Sequence, residues 1–323
     1  MVLFLLHCNK QTIPPQFTQP PSPTGLKLSS GYNFLVATWK PRPEEEITGY
    51  YVYFGTKSRC YSDTIYISGR KTHVKINNLN SDQCYYCAVA SVDRNKVVSE
   101  PSAEAVAFPY LYFDGFSQSD GTLDSLTWYC NVGYQSRVID GKVLPVETVN
   151  NGATTMRSFA QYLRYTPNDN FVVECQFKLG IPNVGGAGII IRSQMANPDN
   201  FYKGYYAYLF WDINNWYLHL EESQLDKYAL RNDAPKKLPP ISPDEWIKLS
   251  VKYYHRNMTI EAIRLSDYSL LGKITIKEKP WSRRPLDSDV FCGFFTTQYG
   301  KNKILVDNFG ISRYLPDKPF YDQ

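Results

Sequence analysis

The sequence predicts an all-β protein built as two antiparallel sandwiches, a smaller one followed by a larger. Three observations carry this. Tyrosine is abundant, 26 residues against 4 methionines, and aromatics make up 15% of the 323 residues. Tyrosine and β-branched residues favour the pleated, half-buried surface of a strand. Short segments with apolar side chains at every second position recur along the chain, separated by turn residues. Helical periodicity is evident nowhere. The length suits two domains of ordinary size.

Composition narrows the function classes. Hydrophobic residues are 43% and charged residues 20%, enough to build a core, so global disorder is not expected. A net charge of +4 over 35 bases and 31 acids gives no reason to expect nucleic acid as partner. The one dense basic run, "KEKPWSRRP" at 277–285, reads as a solvated loop. No apolar run reaches the ~18 residues of a transmembrane helix.

The first ten residues are "MVLFLLHCNK". Met1 to Leu6 are apolar and Cys8 follows, but a complete secretory signal needs a basic n-region and a longer apolar core. Residues 1–8 resemble the tail end of a bacterial lipoprotein signal, with "LLHC" standing as the lipobox and His7 an atypical member of it. The resemblance implies export to the periplasm, outer membrane or cell surface, with Cys8 as the lipidated residue and the membrane touched only through that anchor. The other reading is a short apolar strand with a free cysteine. Residues 9–18 are the expected linker: the prolines, Gln, Ser and Thr of "QTIPPQFTQPPSPTG", 11–25, describe an extended tether.

Residues 19–109 form the first expected domain. "NFLVATWKP" places Leu35, Ala37 and Trp39 on one face, and "ITGYYVYFGT" does the same for Ile47, Tyr50, Val52 and Phe54. "THVKINNL" and "CYYCAVASVD" continue the series. Trp39, the Leu79-to-Tyr85 spacing in "LNSDQCY" and the closing "SEPSAEAVAFP" resemble the fibronectin type III family. There the tyrosine hydroxyl clamps a loop by bonding back to the backbone. The resemblance implies a spacer or interaction module. It also implies that Cys60, after strand C, lies near Cys84, at the start of strand F, so a Cys60–Cys84 disulfide is expected, in keeping with export. Cys84 and Cys87 lack the helix start or second pair that a redox or zinc site needs. Cys87 reads as a small buried hydrophobe.

Residues 110–315 form the second expected domain, with 316–323 as a tail. "FVVECQFKL" points Phe171, Val173, Cys175, Phe177 and Leu179 inward and Val172, Glu174, Gln176 and Lys178 outward. "GGAGIIIRS", "YYAYLFWD", "WYLHLEES", "WIKLSVKYY", "MTIEAIRL", "GKITI" and "VFCGFFTT" follow the same logic and read as one large antiparallel sandwich. Five motifs in order resemble concanavalin-like jelly-roll domains of the laminin-G type. They are Phe113–Phe116, Gly185–Arg192, Asn200–Tyr202, Trp246 and Asp307–Phe309. The resemblance implies that the opening and closing strands pair.

Catalytic patterns are lacking. Glycan hydrolysis on such a fold needs two carboxylates flanking the bond. "LEES" instead sends Glu221 and Glu222 to opposite faces. His7, His73, His219 and His255 show no metal spacing. "GGAG" precedes no helix, so it is no nucleotide loop. Asp114 and Asp307 read as turn-capping residues rather than calcium ligands. No cofactor, metal or enzymatic activity is expected.

The densest aromatic run, "YYAYLFWDINNWYLHLEE" at 205–222, predicts a hairpin. Leu218 and Leu220 mark the core face of the return strand. Tyr217, His219 and Glu221 then stand on the open face, with Tyr206, Tyr208 and Phe210 as one aromatic set from the partner strand. These six are the candidate ligand-binding residues. A glycan or matrix partner would stack on them, a neighbouring subunit would pack there, or loops would cover them as second-layer packing. The functions these choices support are a non-enzymatic envelope protein that binds glycan, or a structural subunit of an appendage, filament sheath or virion tail.

Overall fold

The structure is a computed structural model that describes residues 19–41, 47–130, 136–144, 156–162, 170–180, 184–193, 204–212, 214–223, 235–277, 291–299 and 304–314. Cys8, Asn200–Tyr202 and nearly all of the basic run at 277–285 lie outside them. The described residues form 23 strands and no helix, so none of their helices could cross a membrane. The chain divides into two compact units. The smaller is built on residues 36–76, 84–106 and the chain up to Ser29, and the larger is built chiefly on residues 107–323.

The smaller unit contains β1 (Thr24–Gly31), β2 (Phe34–Lys40), β3 (Ile47–Gly55), β4 (Asp63–Ser68), β5 (His73–Ile76), β6 (Tyr85–Asp93) and β7 (Ala105–Ala107). They make a three-stranded sheet, β1-β2-β5, and a four-stranded sheet, β4-β3-β6-β7. Leu35, Ala37, Trp39, Tyr50 and Val52 are buried as the alternation requires. Ile47 shares their side because the register of β3 on β6 shifts between Ile47 and Gly49. At that irregularity the Thr48 hydroxyl donates to the carbonyls of Val92 and Asp93 at 3.2 and 3.0 Å.

The expected Cys60–Cys84 disulfide is not present: both residues are thiols, Cys60 exposed and Cys84 half-buried. Cys60 sits in a tight turn after β3, its N–H donating to Lys57 O at 3.2 Å. The Cys84 side chain bonds Tyr86 instead, and burial pushes its thiol up to about 11. Burial likewise pushes Cys87 up to about 12. Both stay protonated at neutral pH, which removes their nucleophilic form. Cys87, Cys175 and Cys292 are buried.

The larger unit runs β8 (Tyr110–Asp114), β9 (Gly121–Thr122), β10 (Trp128–Cys130), β11 (Arg137–Ile139), β12 (Lys142–Leu144), β13 (Met156–Tyr162), β14 (Phe171–Lys178) and β15 (Val184–Ser193). It continues with β16 (Gly204–Trp211), β17 (Trp216–Ser223), β18 (Lys236–Lys237), β19 (Trp246–Tyr254), β20 (Asn257–Arg264), β21 (Leu270–Lys277), β22 (Phe291–Tyr299) and β23 (Leu305–Arg313). One sheet has seven strands in the order β10-β13-β22-β15-β16-β17-β18. The other has nine, β21-β20-β19-β14-β23-β12-β11-β9, with β8 also paired to β23. The opening and closing strands therefore meet, with Phe309 opposite Asp114.

An apolar core lies between the two sheets. Phe171, Val173, Cys175 and Phe177 enter it from the nine-stranded sheet, and Ile189, Leu209 and Leu218 from the seven-stranded one. Its aromatic end is organised by Asp114. This carboxylate accepts the Trp128 indole N–H at 2.8 Å, the Phe116 N–H at 2.7 Å and the Tyr112 hydroxyl at 3.1 Å. Asp114 is thus a capping residue, as its sequence context suggested. Asp307 caps the Asn308 N–H at 2.8 Å. Burial raises the Asp307 pKa. No group of three or more His, Cys, Asp or Glu among the described residues could hold a metal.

Candidate ligand-binding face

The run that dominates the sequence forms the β16–β17 hairpin. Tyr206 faces Glu221, Tyr208 faces His219 and Phe210 faces Tyr217. Tyr205, Ala207, Leu209, Trp216, Leu218 and Leu220 belong to the core. Strand alternation therefore puts the six candidate residues together on the outer face of the seven-stranded sheet. The turn is built by Asp212, whose carboxylate accepts the N–H groups of Asn214 and Asn215 at 3.1 and 2.9 Å. Those bonds, that from Asn215 first, hold the Asp212 carboxyl below its ordinary range. Tyr217 also bonds Asp212, while burial is the main cause that raises its phenol pKa.

The six residues do not share one environment. Tyr206 is 2% exposed and Glu221 6%. Tyr206 joins Ile190 and Phe295 in a second small apolar cluster, with Tyr208 packed against it. Tyr206 and Tyr208 each meet Phe295 edge-on, at 5.3 and 5.5 Å. That half of the face is closed, so Tyr206 and Glu221 support the site rather than present themselves to a ligand. Phe210, Tyr217, Tyr208 and His219 are half-buried, and Lys237, opposite Tyr217 on β18, is exposed. The accessible part of the face is the end nearest the turn.

A hydrogen-bond chain links the two halves. The Tyr208 hydroxyl donates to Glu221 Oε2 at 3.0 Å and lies 2.6 Å from His219 Nδ1. A phenol has one proton to give. With that proton directed at the Glu221 carboxylate, the Tyr208 oxygen is left to accept from His219 Nδ1–H. The Tyr208 ring is thereby held from both sides in one orientation, and the His219 ring meets it edge-on at 5.0 Å.

Sequence reading missed three contributors. Gly186 and Gly188 on β15 lie opposite Phe210 and Tyr208. A Cβ at either would collide with the neighbouring backbone, at Leu209 O or Ala207 O respectively. Gly188 is also opposite Phe295 on β22, so the two rings meet across a position that carries no side chain. Phe295 is the third contributor. The available signal was the alternation of glycine with Ala187, Ile189 and Ile191, which places the glycines on the outer face.

As for carboxylates, Glu222 pairs opposite the core residue Tyr205 while Glu221 pairs opposite Tyr206, so the two point to different sides. The fold and this face define the class: an all-β protein of consecutive sandwiches, the larger of which displays a preorganised aromatic sheet face. Fibronectin type III domains match a stretch amounting to 28% of the chain. A fibronectin type III-like protein from Clostridium thermocellum is 32% identical, covering 28% of this chain and 94% of its own, with a TM-score of 0.24. The corresponding domain of the human collagen alpha-1(XX) chain is 20% identical over 28% of this chain and 85% of its own, TM-score 0.25. The CBM2 module of the evolved Dit of Lactobacillus casei BL23 phage J-1 is 12% identical, covering 65% of this chain and 97% of its own, TM-score 0.49. No family model and no curated protein sequence matches the chain.

Proposed function

We propose that the protein is a non-enzymatic, exported binding protein that takes a glycan on the turn-proximal half of the β16–β17 face. The observation that carries this reading is the directly opposed Phe210–Tyr217 pair beside Tyr208, whose ring is fixed by His219 and Glu221. Aromatic faces stack on the apolar faces of sugar rings, and tyrosine hydroxyls at their rim bond the sugar hydroxyls. Holding Tyr208 in place before binding lowers the ordering cost of the complex.

A polysaccharide pull-down and glycan array with wild type, Tyr217→Ala and Tyr208→Ala tests it. Each substitution removes a stacking surface of ~0.5–1.5 kcal/mol beyond its area, so affinity should fall roughly tenfold. Tyr208→Phe should weaken binding less, since only the bond chain is lost. Folded variants that bind as wild type does would remove the proposal.

A second reading, a structural subunit of a larger assembly, is supported by a different observation. Tyr268 is 73% exposed and Leu270 56%, both at the turn leading into β21, and Leu126 is 83% exposed. Exposed apolar groups that lie together mark interaction surfaces, and a neighbouring subunit would cover the Tyr268–Leu270 pair. Loss of self-assembly in Tyr268→Ser/Leu270→Ser, with no glycan bound by wild type, selects this reading over the first.

Export and anchoring rest on "LLHC". With Cys8 acylated, the native protein partitions into detergent and Cys8→Ala moves it to the aqueous phase. One acyl chain anchors only marginally and two or more hold firmly. Native protein found in the aqueous phase with Met1 intact counts against the anchor.

A further inference from the structure

The smaller sandwich carries its own row of aromatic rings. Tyr51 and Tyr53 on β3 alternate with the buried Tyr50 and Val52, and so stand on the outer face of the four-stranded sheet. Tyr66 lies opposite Tyr51 on β4. Tyr61, in the connection between these strands, closes the row. Successive ring centroids are 5.1 Å apart for Tyr66–Tyr51, 6.2 Å for Tyr51–Tyr53 and 6.0 Å for Tyr53–Tyr61. The last two pairs lie within 30° and 25° of parallel. Tyr66 is 48% exposed and the other three are half-buried. On the β6 side the facing residues are Ala90 and Ala88, so the row is one ring wide.

The end of the row is built, not incidental. Glu104 accepts the Tyr61 hydroxyl at 2.8 Å, the Arg59 N–H at 2.8 Å and the Ser58 hydroxyl at 2.6 Å. Burial acts to raise the Glu104 pKa, but these three donors outweigh it and hold the carboxyl below its ordinary range. One satisfied carboxylate thus pins the connection that carries Tyr61. Burial raises the phenols of Tyr53 and Tyr61, which keeps the rings neutral.

We propose that Tyr66, Tyr51, Tyr53 and Tyr61 form a second ligand site, one that takes an extended neutral polysaccharide chain. Charge argues for a neutral ligand. The rings carry none, the Glu104 carboxylate beside them is occupied by three donors, and the Arg59 cation at that end is offset by Glu104. Spacing argues for a chain of sugar rings over a proline-rich peptide. A polyproline helix presents equivalent ridges every ~9 Å, three residues at 3.1 Å each, and would skip rings set 5.1 to 6.2 Å apart. A chain of pyranose rings offers one apolar face per tyrosine, with its hydroxyls at the phenol fringe. The site belongs to the smaller unit and does not depend on the β16–β17 face.

The test is affinity electrophoresis of the full chain in gels containing soluble β-1,4-glucan or mixed-linkage β-glucan, with alginate as the anionic comparison. All proteins carry Tyr217→Ala, which weakens the first face about tenfold and leaves the row as the main source of retardation. The Tyr217→Ala protein should be retarded by a neutral glucan, with no loss on adding salt, because stacking is not screened. Tyr51→Ala and Tyr66→Ala should each weaken retardation about fivefold or more. Tyr66, already exposed, can be truncated without threatening the fold, and Glu104→Gln should weaken binding less than either. The proposal fails if neither neutral glucan retards the Tyr217→Ala protein. It fails equally if retardation survives in folded Tyr51→Ala and Tyr66→Ala, if alginate alone binds, or if a synthetic peptide of residues 11–25 binds the row instead.

Discussion

Asp114→Ala should destabilise the larger sandwich by roughly 3–5 kcal/mol, from two buried donors left unpaired at about 1–3 kcal/mol each together with the lost tyrosine bond. The donors are named by the geometry. Trp128 is buried and its indole N–H has Asp114 at 2.8 Å. Phe116 is fully buried, and its N–H is held at 2.7 Å. Phe116 also has φ of 50°, a left-handed conformation that a bulky residue adopts only where its surroundings enforce it. The Asp114 carboxylate enforces it by turning the chain, and the Phe116 ring then packs edge-on against Phe294 and beside Trp128. Asp114→Asn keeps one acceptor and should cost less than half as much. Urea unfolding followed by tryptophan fluorescence reads the effect as a lowered midpoint with an unchanged slope. A loss below about 1 kcal/mol for Asp114→Ala would show that water replaces the carboxylate at the indole.

The alternation that predicts β2, β14 and the β16–β17 hairpin is visible in the sequence because each strand has one face on a core, and a period of two then sorts every side chain. Phe171, Val173, Cys175 and Phe177 sit in the core for that reason. The same period cannot say what happens on the outer face. Tyr206 and Glu221 share a face with Tyr217, yet they are buried, Tyr206 because Ile190 and Phe295, on the adjoining strands β15 and β22, pack against it. Nor does it show that Tyr61 and Tyr66 extend the Tyr51–Tyr53 pair, since a loop residue and a cross-strand neighbour supply the ends. Family resemblance located Cys60 and Cys84 near neighbouring strands, but pairing depends on side-chain direction. Cys60 lies in a tight turn and the Cys84 side chain is engaged by Tyr86. Asp114 read as a turn-capping residue in the sequence, and it does cap the Phe116 N–H. Its grip on Trp128, fourteen residues on, was not legible there.

Gly188→Ala should abolish glycan binding on the β16–β17 face and lower stability by about 1–3 kcal/mol, the cost of forcing a methyl into a filled position. The new Cβ would meet Ala207 O and the Cβ of Tyr208 on the adjacent strand. Backbone oxygen cannot rotate away, so β15 and β16 must separate at the point where Tyr208 is positioned. Displacing Tyr208 breaks its 2.6 and 3.0 Å bonds to His219 and Glu221 together, and with them the preorganisation on which stacking depends. Two causes for the glycine can be separated. If the strand spacing demands it, Tyr208→Ala brings no relief, because alanine retains the Cβ that clashes, and stability stays at the level of Gly188→Ala or below. If instead the meeting of the Tyr208 and Phe295 rings across Gly188 demands it, Tyr208→Ala clears the space and recovers most of the stability lost in Gly188→Ala. The geometry at Ala207 O favours the first outcome, so the double variant should recover no stability over Gly188→Ala in thermal unfolding. Recovery of stability in the double variant would assign the constraint to the rings.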